Sequence, residues 1–457
     1  MRQPKPLMTI LAALLVAAPA ALPARDKAGQ DKPAEVVLTL DKAVALALEQ
    51  NPYYLATQQR EDQAQAVLKQ ALAGFYPSLS LQGTNTLKEK NFILEFPSFI
   101  PGEPPQEIEM DFTRDYQMSF GFSLPVFTGG RLRSGYRQAD YNLKATRESV
   151  RRSEQDTVFE VKQAFYGALL AREFAEVAQE SLDLAESHHK NVLSQYEVGM
   201  ASKFDLLRAE VQVANLKPQL IKARNTQRVS ELGLKTVLGL DLETPIAIQG
   251  EFQITPLEAD VEALVQAALA ERPEVLEVGF QRGVAGEMLK VARSAYWPTV
   301  AIAGTYNLWG DNFHFGTQPW QNYYAVNLVL SWSLFNGFDS QARAAQAKAA
   351  IRELDWTQKG LEDRIRFEVR QAVLDYNQAR ESLLSQEKNV EQALEAVRIA
   401  ELNYNEGLAT SLDVTTARVA LSQARTNHAQ AMYDCVISQA QLEKAIGRGR
   451  SNERKSS

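Results

Sequence analysis

"YEVGMASKFDL" at residues 196–206 returns as "YNEGLATSLDV" at 404–414, a shift of 208 that keeps Tyr, Gly, Ala and Asp in step and answers Ser202 with Thr410. Gly199 and Gly407 suit the left-handed position that ends a helix. Ser202 and Thr410 can cap the next one. Asp205 and Asp413, three residues on, complete S-x-x-D and T-x-x-D, close to a capping box. Each motif therefore reads as the tip of a helical hairpin, with both aspartates as cap partners.

Working outward, the motif belongs to a longer repeat. "EQNPYY" (49–54) aligns with "AERPEV" (270–275), and "GFYPSLSL" (74–81) with "AYWPTVAI" (295–302), both at a shift of 221. Beyond "LPVFTGG" (124–130) and "WSLFNGF" (332–338) the shift is 208, and it holds through Gly239 and Gly447. The first copy simply carries a longer loop, 89–112. Several anchors in one register make the duplication a strong signal. The copies span 40–239 and 261–447, joined by a linker, 240–260.

Each copy reads helix, two strands, long helix, turn, helix. Short helices at about 40–50 and 261–271 stop before Pro52 and Pro273, which suit the first turn of the next helix. Pro77 and Pro298 end that second helix. The period then changes to two: Tyr116, Met118, Phe120, Phe122 and Leu124 share one face, as do Tyr324, Val326, Leu328, Leu330, Trp332 and Leu334. Strands are expected at about 77–88, 114–127, 298–310 and 321–335. After them no Pro interrupts residues 131–195 or 339–404, and a helix of about 65 residues reaches about 100 Å. Ile365, Val369, Ala372, Tyr376, Ala379 and Leu383 follow a 4-3-4-3-4 seam, as Val158, Val161, Phe165 and Ala168 begin to do. Pro218 is expected to kink the first returning helix.

The strands impose the harder constraint. Four aromatic-rich strands with one apolar face have no helical layer in register to cover them. A membrane barrel would hide every edge, but eight strands is the practical minimum. Several copies must then pool their strands, and the polar alternate positions would line a water-filled lumen. A soluble β-layer beside coiled coils is the alternative, at the cost of leaving Phe120, Leu328 and Trp332 in water.

The termini and composition fit export. Arg2 and Lys5, the apolar run 7–18 and "APAALPA" form a secretory signal peptide, residues 1–24, with cleavage near Ala20 or Ala24. An N-terminal linker, 25–39, follows, and the tail 448–457 is expected to be disordered. A formal charge of −7 gives no electrostatic case for nucleic acid. Cys435, the single cysteine, excludes a disulfide within the chain and reads as a small packing residue. His188 and His189 are adjacent and His314 and His428 isolated, so all four are expected at the surface, with no metal ligand set, cofactor or catalytic group.

With repeat, strand pairs and hairpin tips together, the chain resembles the TolC-like outer-membrane efflux protein family from about Leu40 to Gly447. The pieces that carry the resemblance are "LPVFTGGRLRSGYRQAD" (124–140), "YEVGMASKFDLLRAEVQVANLKPQL" (196–220) and "YNEGLATSLDVTTARVALSQARTNHAQAMYD" (404–434). The resemblance implies a mainly α chain with membrane β structure. It forms a homotrimer whose twelve-stranded barrel in the outer membrane continues into a periplasmic α-barrel, with an equatorial belt at mid-height. The implied function is a passive exit duct of a tripartite efflux or type I secretion system, docked to a periplasmic adaptor and an inner-membrane pump. The alternatives are a periplasmic adaptor, which would need a single hairpin between β segments, and a structural coiled-coil tether.

In that family the hairpin tips meet the adaptor, which maps here to Val198, Gly199 and Met200 and to Gly407 and Leu408; Glu406 stands where a Val is typical. The tips also close the entrance. Asp205 and Tyr404 match an aspartate and a tyrosine of the family's gate, Asp413 an aperture aspartate. The gate's arginine is Ala409 here and the second aperture aspartate is Thr416, so a more weakly held entrance and milder block by multivalent cations are expected.

Overall fold

The computed structural model describes residues 36–87, 92–97, 100, 102, 104–110, 116–254, 260–310 and 320–448. The first copy runs β1 (Val36–Leu38), α1 (Leu40–Gln50), α2 (Pro52–Ala73), β2 (Ser78–Asn85), β3 (Phe92–Phe96), β4 (Gln106–Met110), β5 (Tyr116–Phe127), α3 (Arg131–Glu197) and α4 (Lys203–Leu238). Between the copies lies β6 (Ile246–Ile248). The second copy runs α5 (Val261–Glu271), α6 (Pro273–Ser294), β7 (Thr299–Gly310), β8 (Gln321–Ser331), α7 (Asp339–Asn405) and α8 (Ser411–Ala445). The signal peptide and the tail from 449 lie outside the described residues.

Each copy stacks two shorter helices end to end along one of 67 residues. Alanines and β-branched residues at seam spacing make this possible. Ile365, Val369, Ala372, Tyr376 and Leu383 all lie buried in one apolar cluster with α5 and α8. Val161, Phe165 and Ala168 anchor the matching cluster with α1, α4 and Leu38. These clusters sit near mid-length of α3 and α7, at the level where β1 pairs parallel with β6. That pairing puts the end of the expected N-terminal linker and part of the inter-repeat linker into one two-stranded sheet. Pro218 lies inside α4, whose helix continues through it.

At the far end four strands form one antiparallel sheet in the order β2-β5-β7-β8. Its register gathers most of the large apolar side chains on one face. Leu79 and Leu81 pair with Phe122 and Phe120, which pair with Gly304 and Tyr306, which pair with Val326 and Tyr324. The other face carries Ser80, Gln82, Ser119, Ser123, Thr305 and Asn327 at matching positions. A one-residue slip would mix the two faces, so the pattern specifies the register. The last strand ends at Ser331 rather than extending to 335. Ser331 is the partner of Thr299, and the next position opposite belongs to Pro298, which has no N–H for the ladder. The long loop of the first copy contains structure as well: β3 and β4 form a two-stranded hairpin.

Candidate functional site at the sheet and the hairpin tips

No described residue covers the apolar face of the sheet. Leu79 is 80% exposed and Leu328 73%, and Leu81, Val326 and Leu330 are exposed as well. Burying such a side chain is worth about 1.5–3 kcal/mol, so a row of them left in water is a large unrealised term. Where the sheet meets the helices, Tyr76, Tyr296, Trp297, Trp332, Phe335 and Phe338 are also exposed. Trp332 Nε1 donates to the Tyr296 carbonyl at 3.2 Å, tying the end of β8 to the end of α6. An apolar band flanked by aromatics is the surface of a membrane strand. No helix among the described residues is long and apolar enough to cross a membrane. That leaves the sheet as the element with a lipid-compatible face.

At the opposite end each long helix stops in the same way. Gly199 (φ +80) and Gly407 (φ +73) take the left-handed position. Met200 N and Leu408 N donate five residues back to Gln195 O and Asn403 O at 2.7 and 2.8 Å, the Schellman pattern. Both returning helices open with complete capping boxes. Ser202 Oγ donates to Asp205 Oδ2 at 2.5 Å. Thr410 N and Oγ1 donate to Asp413 Oδ2 at 2.8 and 2.7 Å. The hydrogen bonds from Thr410 hold the Asp413 carboxyl below its ordinary pKa. Both aspartates therefore act as cap partners. Outward from the turns project Val198 (70% exposed), Met200 (81%) and Leu408 (80%), an apolar set at the extreme end of the hairpins.

The tyrosine matched to the gate is hydrogen-bonded across the two tips to a glutamine. Tyr404 Oη donates to Gln195 Oε1 at 2.9 Å, while the Asp205 carboxylate accepts from its own cap residue, Ser202. Burial, and then the charge of Asp205, raise the Tyr404 pKa, so the two groups lie within electrostatic reach. Beside Tyr404 sits His188, edge-on to its ring at 5.9 Å between centroids. His188 is buried, contrary to the surface placement its neighbourhood in sequence suggested; it stands at seam spacing with Ala185 and Val192, which are buried too. That 3-4 spacing was the signal to read. Its Nε2 lies 2.8 Å from Ser411 Oγ. Burial, and then the Arg418 charge, lower its pKa, with Glu401 opposing. Both groups are buried, and the nearby Glu401 carboxylate is paired with Arg418. His314 lies outside the described residues, and no group of three potential metal ligands occurs among the described ones.

Comparison with known proteins bears on the whole chain. A family model described as outer membrane efflux protein matches residues 43–240 and 264–448. The alkaline protease secretion protein AprF of Pseudomonas aeruginosa is 27% identical over 69% of this chain; the match spans 66% of AprF, just under two thirds of its length. The outer membrane protein TolC of Vibrio cholerae is 23% identical over 68% of this chain and 70% of its own. Among solved structures, the CmeC outer membrane channel of Campylobacter jejuni superposes with a TM-score of 0.73 at 16% identity, covering 97% of both chains.

Proposed function

This chain belongs to the outer membrane efflux protein family, and from that premise we propose that it is the outer-membrane exit duct of a tripartite efflux or type I secretion system. The observation that carries the reading is the sheet. Its four strands present one apolar face and one more polar face in register, with both outer strands unpaired among the described residues. Four strands cannot close a barrel, so several copies pool theirs; three copies give twelve strands around a water-filled lumen. The long helices continue that lumen into the periplasm for about 100 Å. The chain acts as a passive conduit and performs no chemistry.

The exposed apolar set at the turns, Val198, Met200 and Leu408 with Gly199 and Gly407, is the surface offered to a periplasmic adaptor, itself joined to an inner-membrane pump. Asp205, Tyr404 and Asp413 stand at the entrance, where a trimer would bring three Asp413 carboxylates together. An adaptor or tether would have no use for a sheet whose apolar face is bare. The test is reconstitution of the purified full-length protein in planar bilayers. Stable stepwise conductance is expected, with block by trivalent cations from the periplasmic side relieved in Asp413→Ala. A soluble, non-conducting monomer would end the duct reading, and unchanged block in Asp413→Ala would remove Asp413 from the entrance.

A further inference from the structure

The helices that meet the sheet, α2, α3, α6 and α7, have distinguishable inner and outer sides. A cavity of about 600 Å³ is lined by Thr299 and Ser331 from the polar face of the sheet, and by Arg131, Met288 and Arg343 from the helices beneath it. Those three helical positions therefore mark the polar side. Laterally, a Cβ on Gly74 at the end of α2 would stand 3.1 Å from Leu132, and one on Gly283 of α6 2.9 Å from the Tyr141 ring, so α2 and α6 flank α3. At about 100° per residue, Arg133 and Arg137 then fall on the side of α3 away from the cavity. The same rotation puts Lys290 and Arg293 of α6 and Lys348 of α7 on that outer side, the side of the sheet's apolar face. Lys69 of α2 joins them as the repeat equivalent of Lys290, at the shift of 221.

All six cations are exposed, and each lies within about 15 Å of the helix end nearest the sheet. Lys290 has a partner, the buried Glu287, at 2.7 Å; the other five make no ion pair among the described residues. Asp140, the carboxylate on the outer side of α3 at this level, is held by Lys144 at 2.8 Å. Farther from the sheet the pattern changes, and Arg147 pairs with Glu61 and Arg282 with Asp355. The chain carries −7 in total, yet at this level cations gather without carboxylates to answer them. Between them and the apolar face lie the exposed aromatics Phe75, Tyr76, Tyr296 and Trp332. Like charges collected on one level repel one another unless an anion from outside meets them.

We propose that Lys69, Arg133, Arg137, Lys290, Arg293 and Lys348 form a cationic collar that binds anionic phospholipid head groups in the leaflet nearest the helices. The inference rests on the reading of the sheet as a membrane element and extends it from hydrocarbon to head group. An apolar face, then aromatics, then cations follow the order in which a bilayer presents acyl chains, interface and phosphates. The stems of Lys and Arg lie along apolar surface while their charged ends reach outward. Arg133, Arg137 and Arg293 can each meet a phosphate with two N–H groups. Repeated around an assembly of several copies, the collar fixes the height of the sheet in the bilayer and gathers acidic lipid about it.

The test reconstitutes the full-length protein in phosphatidylcholine bilayers with a rising fraction of brominated phosphatidylglycerol and reads the quenching of tryptophan fluorescence. Phosphatidylglycerol is expected to be enriched beside the protein about fivefold over the bulk bilayer at low salt, the factor for one Lys or Arg at an anionic surface. High salt should remove most of that enrichment by screening. Arg133→Gln combined with Arg293→Gln should bring the lipid beside the protein close to the bulk composition, whereas Arg133→Lys with Arg293→Lys keeps most of the enrichment. Inorganic phosphate at matched ionic strength should change nothing; displacement of the lipid by phosphate would make this a free-anion site and overturn the lipid assignment. Equal quenching by brominated phosphatidylglycerol and brominated phosphatidylcholine, or full enrichment in the double Gln variant, overturns the collar and leaves the sheet in the membrane. Should that variant fail to assemble, salt decides, and enrichment indifferent to salt overturns the collar. No quenching by either lipid overturns the membrane reading and the collar together.

Discussion

The two copies solve one mechanical problem with different chemistry. In each, a returning helix ends on a left-handed glycine that abuts the junction between two helices of its own copy. In the first copy the junction is neutral: Asn51 Oδ1 accepts from Tyr53 N and Tyr54 N, and Nδ2 donates to the Val237 carbonyl at 2.8 Å. In the second it is ionic: Arg272 pairs with Glu274 at 2.9 Å and with Glu368 at 2.6 Å, its side chain nearly buried. A duplicated fold thus fixes the backbone path at this joint and leaves the side chains free to diverge. What persists is the close approach itself. A Cβ on Gly239 would stand 2.4 Å from the Gln50 carbonyl oxygen, and one on Gly447 3.2 Å from Arg272 N.

The largest effect expected from testing that comparison comes at the ionic joint. Arg272→Met strands the part-buried Glu274 carboxylate and leaves Glu368 with Arg364 alone, and should cost about 3 kcal/mol. Asn51→Ala, which loses a cap, should cost about 1–2 kcal/mol. Thermal unfolding of the assembled protein measures both. The pH dependence sharpens the contrast. Burial pushes the Glu274 and Glu368 carboxyls up, but Arg272, joined by Arg364 at Glu368, more than offsets it and their pKa values end below the ordinary 4.5. Their contribution is therefore complete above 4.5 and lost as pH falls through the lowered values. Without Arg272 both carboxyls lose the largest cause that opposes burial, so the acid loss of stability should begin at higher pH. An unchanged acid limb in Arg272→Met would make the two joints chemically equivalent.

Next in size is the shared feature. Gly239→Ala combines a left-handed backbone with a backbone collision and should cost about 2–3 kcal/mol. Gly447→Ala meets a looser neighbour and should cost about 1–2 kcal/mol. Equal losses in the same unfolding measurement would show that strain alone, and not the approach, sets the cost.

The smallest effect lies where the copies touch. His188 is held neutral by burial and by Arg418, and it faces Ser411 and Arg418 on α8, Tyr404 and Glu401 on α7, and His189 on its own helix. Its pKa is lowered from 6.5, so the packed seam is favoured in full above 6.5 and weakens as pH falls below it. Mean conductance should rise by a few-fold as the periplasmic side is acidified, and His188→Gln should flatten that response. A rise that survives in His188→Gln would assign it elsewhere.

Much of this was legible in the chain because long periodic elements announce themselves. The duplication, the seam from Ile365 to Leu383 and the alternating strands all follow from spacing, and the tips from two S/T-x-x-D boxes. What escaped was non-local or short. The three-residue strands β1 and β6 have no room for a period and pair across 210 positions in the numbering. The β3–β4 hairpin hid in a segment rich in Pro and charge. Tyr404 donates to Gln195, a partner that no motif match points to. His188 was misplaced by attention to its neighbour in sequence rather than to its heptad.

One feature of the sheet governs how the molecule can be made. The backbone amides and carbonyls along the outward sides of β2 and β8 have no strand partner among the described residues, and hydrocarbon offers none. In the proposed assembly of several copies, a single copy is thus barred from the bilayer until the others arrive, and exposed until then to adhesion with any passing strand. Concentration of newly made copies, more than the stability of any one of them, should set how fast the finished pore appears.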